Sequence, residues 1–198
     1  MNVILTDCDG VLLNWKDAFD AWMMREHGIF ATGNERAYKQ GLRYNMDERE
    51  IKKYIKAFNS SANIGYLPPL FDAVQGVKKL YQEHGYKFVV ITSLSNNPYA
   101  QKLRTQNLET IFGADVFEEF VYLDTGADKD SVLECYSKLY PNAYWLEDKV
   151  ANAIDGRGVG FRALLMKHIH IKEEDACGIP IMSNWKAIVE EITDPVYY

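Results

Sequence analysis

Five short apolar runs, each breaking off into polar residues, set the tightest limit on what this chain can fold into. Val3–Leu5 runs into Thr6-Asp7-Cys8-Asp9-Gly10, Lys87–Ile91 into Thr92–Asn97, and Ala143–Leu146 into Glu147-Asp148. Phe120–Leu123 and Phe161–Met166 complete the set. Strands that are apolar throughout, and not alternating, are buried on both faces. Helical patterns lie between them. Leu70, Val74, Val77, Leu80 and Tyr81 share one face before a stop at Gly85, and Pro98 opens a helix to about Gln106 with Asn97 as its cap. Asp128–Tyr140 is ended by Pro141, and Asn184 caps a last helix carrying Trp185, Ile188, Val189 and Ile192. This order predicts an α/β fold, a Rossmann-like parallel sheet with helices on both faces. A chain of 198 residues buries roughly 70% of its unfolded surface, so it needs neither disulfides nor a metal merely to fold.

One stretch interrupts the alternation. Trp15, Phe19, Trp22 and Met23 recur at helical spacing up to Gly28, placed as the C′ residue. From Gly33 to about Gly65 the chain is polar, rich in Lys, Arg, Asn and Tyr, and carries no strand pattern. Asp47 with Glu50 reads as a capping-box-like start to a helix through Phe58, and Pro68-Pro69 ends the stretch. The reading is a small all-helical cap at 15–66, inserted after the first strand, on an α/β core made of 1–14 and 67–198.

Charge and cysteines exclude several classes. Lys plus Arg number 22 against 28 Asp plus Glu, a net charge of -6, which argues against a nucleic-acid polymer as partner. It leaves room for one small phosphate in a locally positive pocket. Cys8, Cys135 and Cys177 are odd in number and widely spaced, so a reducing, cytoplasmic setting is expected in place of a disulfide framework. No apolar run approaches the roughly 20 residues of a membrane span, and the first ten residues lack the basic flank of a secretory signal.

In open parallel sheets ligands collect beyond the carboxyl ends of the strands. There stand Asp7 and Asp9 after the first run, Thr92 and Ser93 after the second, Lys129 at a helix start after the third, and Glu147 and Asp148 after the fourth. Taken singly each has a plain explanation: Asp residues before Gly make turns, and loops carry acids. Taken together they crowd one edge, where two like charges ~4 Å apart repel by about 4 kcal/mol at an effective dielectric of 20. Such a group calls for a cation, and an all-oxygen donor set favours Mg²⁺ shared with a substrate phosphate. An EF-hand calcium loop is excluded, because Gly10 falls at the fourth position of the loop, where that motif needs it at the sixth.

The motifs DCDGV at 7–11, VVITS at 89–93, Lys129 within GADKDSVL and YWLEDKVANA at 144–153 resemble the haloacid dehalogenase-like (HAD) hydrolase superfamily, with a helical cap where many members carry one. The resemblance implies a Mg²⁺-dependent phosphohydrolase of small phosphomonoesters. Asp7 would be the nucleophile and form an aspartyl-phosphate. Asp9 would be the acid for the leaving oxygen and then the base for water. Thr92 with the amide that follows it, and Lys129, would hold the phosphoryl oxygens, with Ser93 also at the phosphate. Asp7, the backbone carbonyl of Asp9, and Asp148 would hold the metal. The chain departs from the family at Asn152, where a second acid is common; Glu147 and Asn152 are both further candidates for the metal. Members that cleave carbon–halogen or carbon–phosphorus bonds lack the acid found here as Asp9. The DCDGVL start and the aromatic helix after it look like the 5′-nucleotidase and deoxyribonucleotidase branch. A phosphotransferase or mutase on the same scaffold, and a non-catalytic binding protein, are the alternatives.

Other features are read as structural. The aromatics Trp15, Phe19, Trp22, Phe30, Tyr38, Tyr44, Tyr54, Phe58 and Tyr66 are mostly a small helical core, with a minority available to a substrate ring and Arg25, Arg36, Lys39 and Arg43 as nearby cations. His168 and His170 are a solvated or packed pair. Cys8 points into the core with a raised pKa, and Gly156, Gly158 and Gly160 mark a turn.

Overall fold

The computed structural model describes residues 2–194. Its strands are β1 (Asn2–Thr6), β2 (Tyr86–Ser93), β3 (Phe117–Leu123), β4 (Tyr144–Glu147), β5 (Arg162–Met166) and β6 (Ile181–Met182). Its helices are α1 (Trp15–His27), α2 (Gln40–Tyr44), α3 (Glu48–Asn59), α4 (Ala73–Gln82), α5 (Pro98–Phe112), α6 (Asp130–Leu139), α7 (Val150–Gly158) and α8 (Trp185–Thr193). The strands form one sheet in the order β3-β2-β1-β4-β5-β6, every pair parallel. The order steps outward from β1 in both directions, which leaves a crevice beyond the carboxyl ends of β1, β2 and β4.

Pleating sends successive side chains to opposite faces, and both faces are apolar. Ile4, Phe88, Val90, Leu146 and Leu164 pack with Val77, Leu80, Leu108 and Trp185 from α4, α5 and α8. Leu5, Val89, Ile91, Trp145 and Leu165 pack with Leu133 and Ala153 from α6 and α7. The Trp185 indole N–H also donates to Val11 O at 2.8 Å, and Asp72 accepts from the Trp185 amide, so α8 is tied to the turn that follows β1.

Between Trp15 and Gly65 the regular structure is all helical, α1, α2, α3 and a 3₁₀ turn at Ala62–Gly65, with an irregular loop at 28–39. Gly28 sits at φ +67, the left-handed end of α1, and Asp47 caps α3 by accepting from the Arg49 amide. The segment leaves and rejoins the sheet through one pinched neck, where the Asn14 amide donates to Pro68 O (2.9 Å) and the Leu70 amide to Leu12 O (2.8 Å). Trp15, Phe19, Trp22, Tyr44 and Phe58 pack on one another, stacked or edge to face, and join the apolar cluster on one face of the sheet.

Some boundaries differ from the sequence reading. The helix expected from Leu70 begins at Ala73, because Pro69 is held extended in a bridge to Leu13. β3 starts at Phe117 and not Phe120; it is an edge strand, so the exposed Glu118 and Glu119 that masked it face water. The glycines at 156 and 158 are not a turn but belong to α7. A Cβ on Gly156 would come within 2.2 Å of Trp145 Cδ1, so the missing side chain is what lets α7 lie close on β4. β6 is two residues long, too short to leave a sequence pattern.

Candidate active site

Backbone hydrogen bonds fix the carboxyl end of β1. The Asp7 amide donates to Leu146 O at 2.8 Å, tying the residue after β1 to β4. Gly10 then turns the chain at φ +81, and a Cβ there would lie 2.2 Å from Asp148 Oδ2. Only glycine permits both that backbone and that approach, so DCDG lies directly against the loop carrying Asp148.

Lys129 is 2% exposed. Its Nζ lies 2.9 Å from Asp7 Oδ1 and 3.3 Å from Glu147 Oε2, and 5.1 Å from the centre of the Trp145 ring. Glu147 has no exposed surface; its other oxygen accepts from Asn152 Nδ2 at 2.6 Å. One carboxylate oxygen each from Asp7, Glu147 and Asp148 lie within 4.8 Å of one another. Three acids thus face one buried ammonium. Burial and then the Asp7 charge push Asp148 up to about 8, and the same two causes hold Glu147 well above the usual carboxylate range. Lys129 is held above the usual lysine range, because Asp7 and Glu147 outweigh the desolvation that opposes its charge. A hard divalent cation fits this donor set, made of oxygens alone and short of positive charge.

Thr92 is buried and stands two residues beyond Val90, the partner of Thr6, so it shares the Asp7 edge of the sheet. The Ser93 hydroxyl donates to Ala127 O at 2.9 Å and braces the loop that leads to Lys129. Asp9 turns to α5, where Arg104 Nη1 lies 2.5 Å from its Oδ1. Cys8 is fully buried between the two aspartates, and burial, opposed by Arg104, pushes its thiol up to about 12, as the sequence led one to expect.

His168 and His170 are a packed pair with a bracing position. Their rings stack at 5.6 Å, His168 Nε2 lies 2.7 Å from Gly10 O, and His170 Nε2 lies 3.3 Å from Asp148 O. Each imidazole therefore contacts one of the two acidic loops, and burial lowers both pKa values. Tyr38, from the helical segment, rests 5.0 Å from His170. Tyr38 is half exposed (49%), and it meets the site through His170, whose Nε2 lies against the Asp148 loop. Two of the segment's cations are engaged locally: Arg43 with Asp20 and Gln40, and Arg25 with Asn63 and Glu26.

The residue that sequence reasoning missed is Arg104. A signal existed: it occupies the buried stripe of α5 with Ala100, Asn107 and Leu108, where an arginine needs a partner.

No protein-family model matches the chain. An uncharacterized 32.4 kDa protein of Enterobacteria phage T4 is 29% identical over 150 residues, 73% of this chain, and the chain spans about half (53%) of that relative's length. Among solved structures, a haloacid dehalogenase-like hydrolase, SP0104 of Streptococcus pneumoniae, superposes at a TM-score of 0.68 with 12% identity, over 97% of this chain and 98% of that one. The D,D-heptose 1,7-bisphosphate phosphatase of B. bronchiseptica, complexed with magnesium and phosphate, does so at 0.59 with 13% identity, over 99% and 100%. Dehalogenases are also among the similar structures. No described helix is long and apolar enough to cross a membrane. The topology, the crevice beyond β1 and these superpositions agree: the fold of this chain is that of the haloacid dehalogenase-like hydrolases.

Proposed function

We propose that the chain is a Mg²⁺-dependent phosphohydrolase of small phosphomonoesters, working through an aspartyl-phosphate on Asp7. The observation that carries this reading is the buried Lys129 ammonium 2.9 Å from Asp7 Oδ1, with the Asp148 and Glu147 carboxylates beside it. Lys129 sits on Asp7 and offers positive charge to the incoming phosphoryl group. An Asp7 oxygen attacks phosphorus as the bond to the leaving alcohol breaks, and Asp9 gives that oxygen its proton. Asp9 then takes a proton from the water that attacks phosphorus, which frees phosphate and restores Asp7. The Thr92 hydroxyl and the amide after it donate to phosphoryl oxygens; the Ser93 hydroxyl is already engaged. Magnesium, held by Asp7, Asp148 and the Asp9 carbonyl, would supply further charge neutralisation. Glu147, with one oxygen on Asn152 and the other on Lys129, stands behind them and positions Lys129. Asp9 favours this chemistry over dehalogenation, since a halide leaves as a stable anion and needs no proton.

Within this reading the substrate is a small phosphomonoester, with a nucleoside 5′-monophosphate as the narrower choice. Tyr38, 5.0 Å from His170, is the aromatic of the helical segment that would meet it. Assay of inorganic phosphate released from nucleoside 5′-monophosphates and sugar phosphates is expected to find turnover with Mg²⁺ and none with EDTA. Transfer to an added alcohol in place of phosphate release would mark a phosphotransferase. Silence across the panel with Mg²⁺ present would overturn the reading.

The acids also give a pH signature. A carboxylate ordinarily titrates near ~4, whereas Asp148 in the fold titrates at about 8. Between those values the folded chain holds a proton that the unfolded chain has lost, so stability falls as pH rises through the window. Glu147 acts in the same direction. Melting of the metal-free protein is therefore expected at a lower temperature at pH 8 than at pH 5. Mg²⁺ should raise the melting temperature more at pH 8, where it meets carboxylates and not carboxylic acids. Equal increments at both pH values would contradict the proposed ligand set.

A further inference from the structure

We propose that Arg104 is a positioning residue for Asp9, fixing the carboxylate that handles the leaving-group proton; this rests on the phosphohydrolase reading. Arg104 has no exposed surface, and its Nη1 reaches Asp9 Oδ1 at 2.5 Å and Cys8 Sγ at 3.0 Å. Its Nε and Nη2 are buried with no hydrogen-bond partner. A guanidinium with two nitrogens unmet is a poor core filler. An apolar side chain of similar volume there would hold the fold as well or better. Packing therefore does not account for Arg104, and the carboxylate it reaches does.

The two aspartates are flanked by one buried cation each, Lys129 on Asp7 and Arg104 on Asp9. Two carboxylates this close in the chain repel, and an unheld Asp9 side chain would turn away from Asp7. The ion pair uses Oδ1 and leaves the second oxygen, on a side chain still 23% exposed, for proton transfer. α5, which carries no other residue assigned to the site, thus sets the direction of the acid.

The test compares Arg104→Met, Arg104→Lys and Asp9→Asn with the unaltered protein on two esters of similar shape. Phenyl phosphate needs a protonated leaving oxygen, and 2,4-dinitrophenyl phosphate does not. Arg104→Met is expected to lower kcat for phenyl phosphate by ~10²-fold or more, and for the dinitrophenyl ester by no more than about threefold, with KM little changed. Arg104→Lys should fall between, and Asp9→Asn should show the same contrast. Circular dichroism and melting check that each variant is folded, and the lysine variant carries the test if the methionine variant is not. Equal losses on both esters, or none on either, in folded Arg104 variants would overturn the role of Arg104 while a contrast in Asp9→Asn kept the acid. If the unaltered protein hydrolyses neither ester with Mg²⁺, the parent reading falls and this inference with it.

Discussion

Asp7→Asn is expected to reduce phosphate release by roughly 10⁴-fold or more, the scale seen when a catalytic nucleophile is removed. The amide keeps the shape of the side chain but has no charge with which to attack phosphorus. The fold should survive, because Lys129 retains Glu147 at 3.3 Å. Stability should even rise at pH 8, since Asp7 is the leading charge that holds Asp148 and Glu147 above the usual carboxylate range. Phosphate release and thermal melting, measured on one preparation, check both halves. A folded Asp7→Asn protein that turns over at the original rate would end the covalent mechanism.

Lys129→Met should be the most damaging single change to the metal-free fold. It removes the buried ammonium and leaves Glu147, with no exposed surface, facing Asp7 and Asp148 with the Asn152 amide but no cation. Breaking a buried pair by deleting one partner costs about 3–5 kcal/mol, and urea unfolding at pH 8 is the measurement. The cost should shrink at pH 5, where Glu147 and Asp148 accept protons and no longer need the cation. Adding Glu147→Gln to Lys129→Met should recover part of the loss, because the second change removes the orphaned charge; strict additivity of the two would show that they do not interact. Activity is expected to fall by ~10²- to 10³-fold, as when a donor to developing charge is lost.

The sheet was legible because its strands are buried on both faces, and burial leaves an unbroken apolar signature at Val3–Leu5, Lys87–Ile91 and Ala143–Leu146. Polar strand ends then pointed to the crevice where Asp7, Lys129, Glu147 and Asp148 meet. The signature failed where burial is one-sided or the helix is short: the exposed start of β3 at Glu118 and Glu119, the two residues of β6, and α7, whose glycines mimic a turn. Arg104 escaped because its partner, Asp9, lies 95 positions away along the chain, and no local pattern pairs them. Tyr38 is similar. Its place against His170 depends on how the helical segment returns to the sheet, and a tyrosine in a polar run carries no mark of that.

The position of β1 governs when the proposed active site can come into being. β1 is the first strand in the chain, yet it occupies the interior of the sheet, with Asn2 beside Tyr86 and Ile4 beside Tyr144. Such long-range pairings form slowly, because much chain must be brought together before they are rewarded. During synthesis Asp7 and Asp9 therefore wait for β4, and the proposed nucleophile would become competent only as the sheet closes around it.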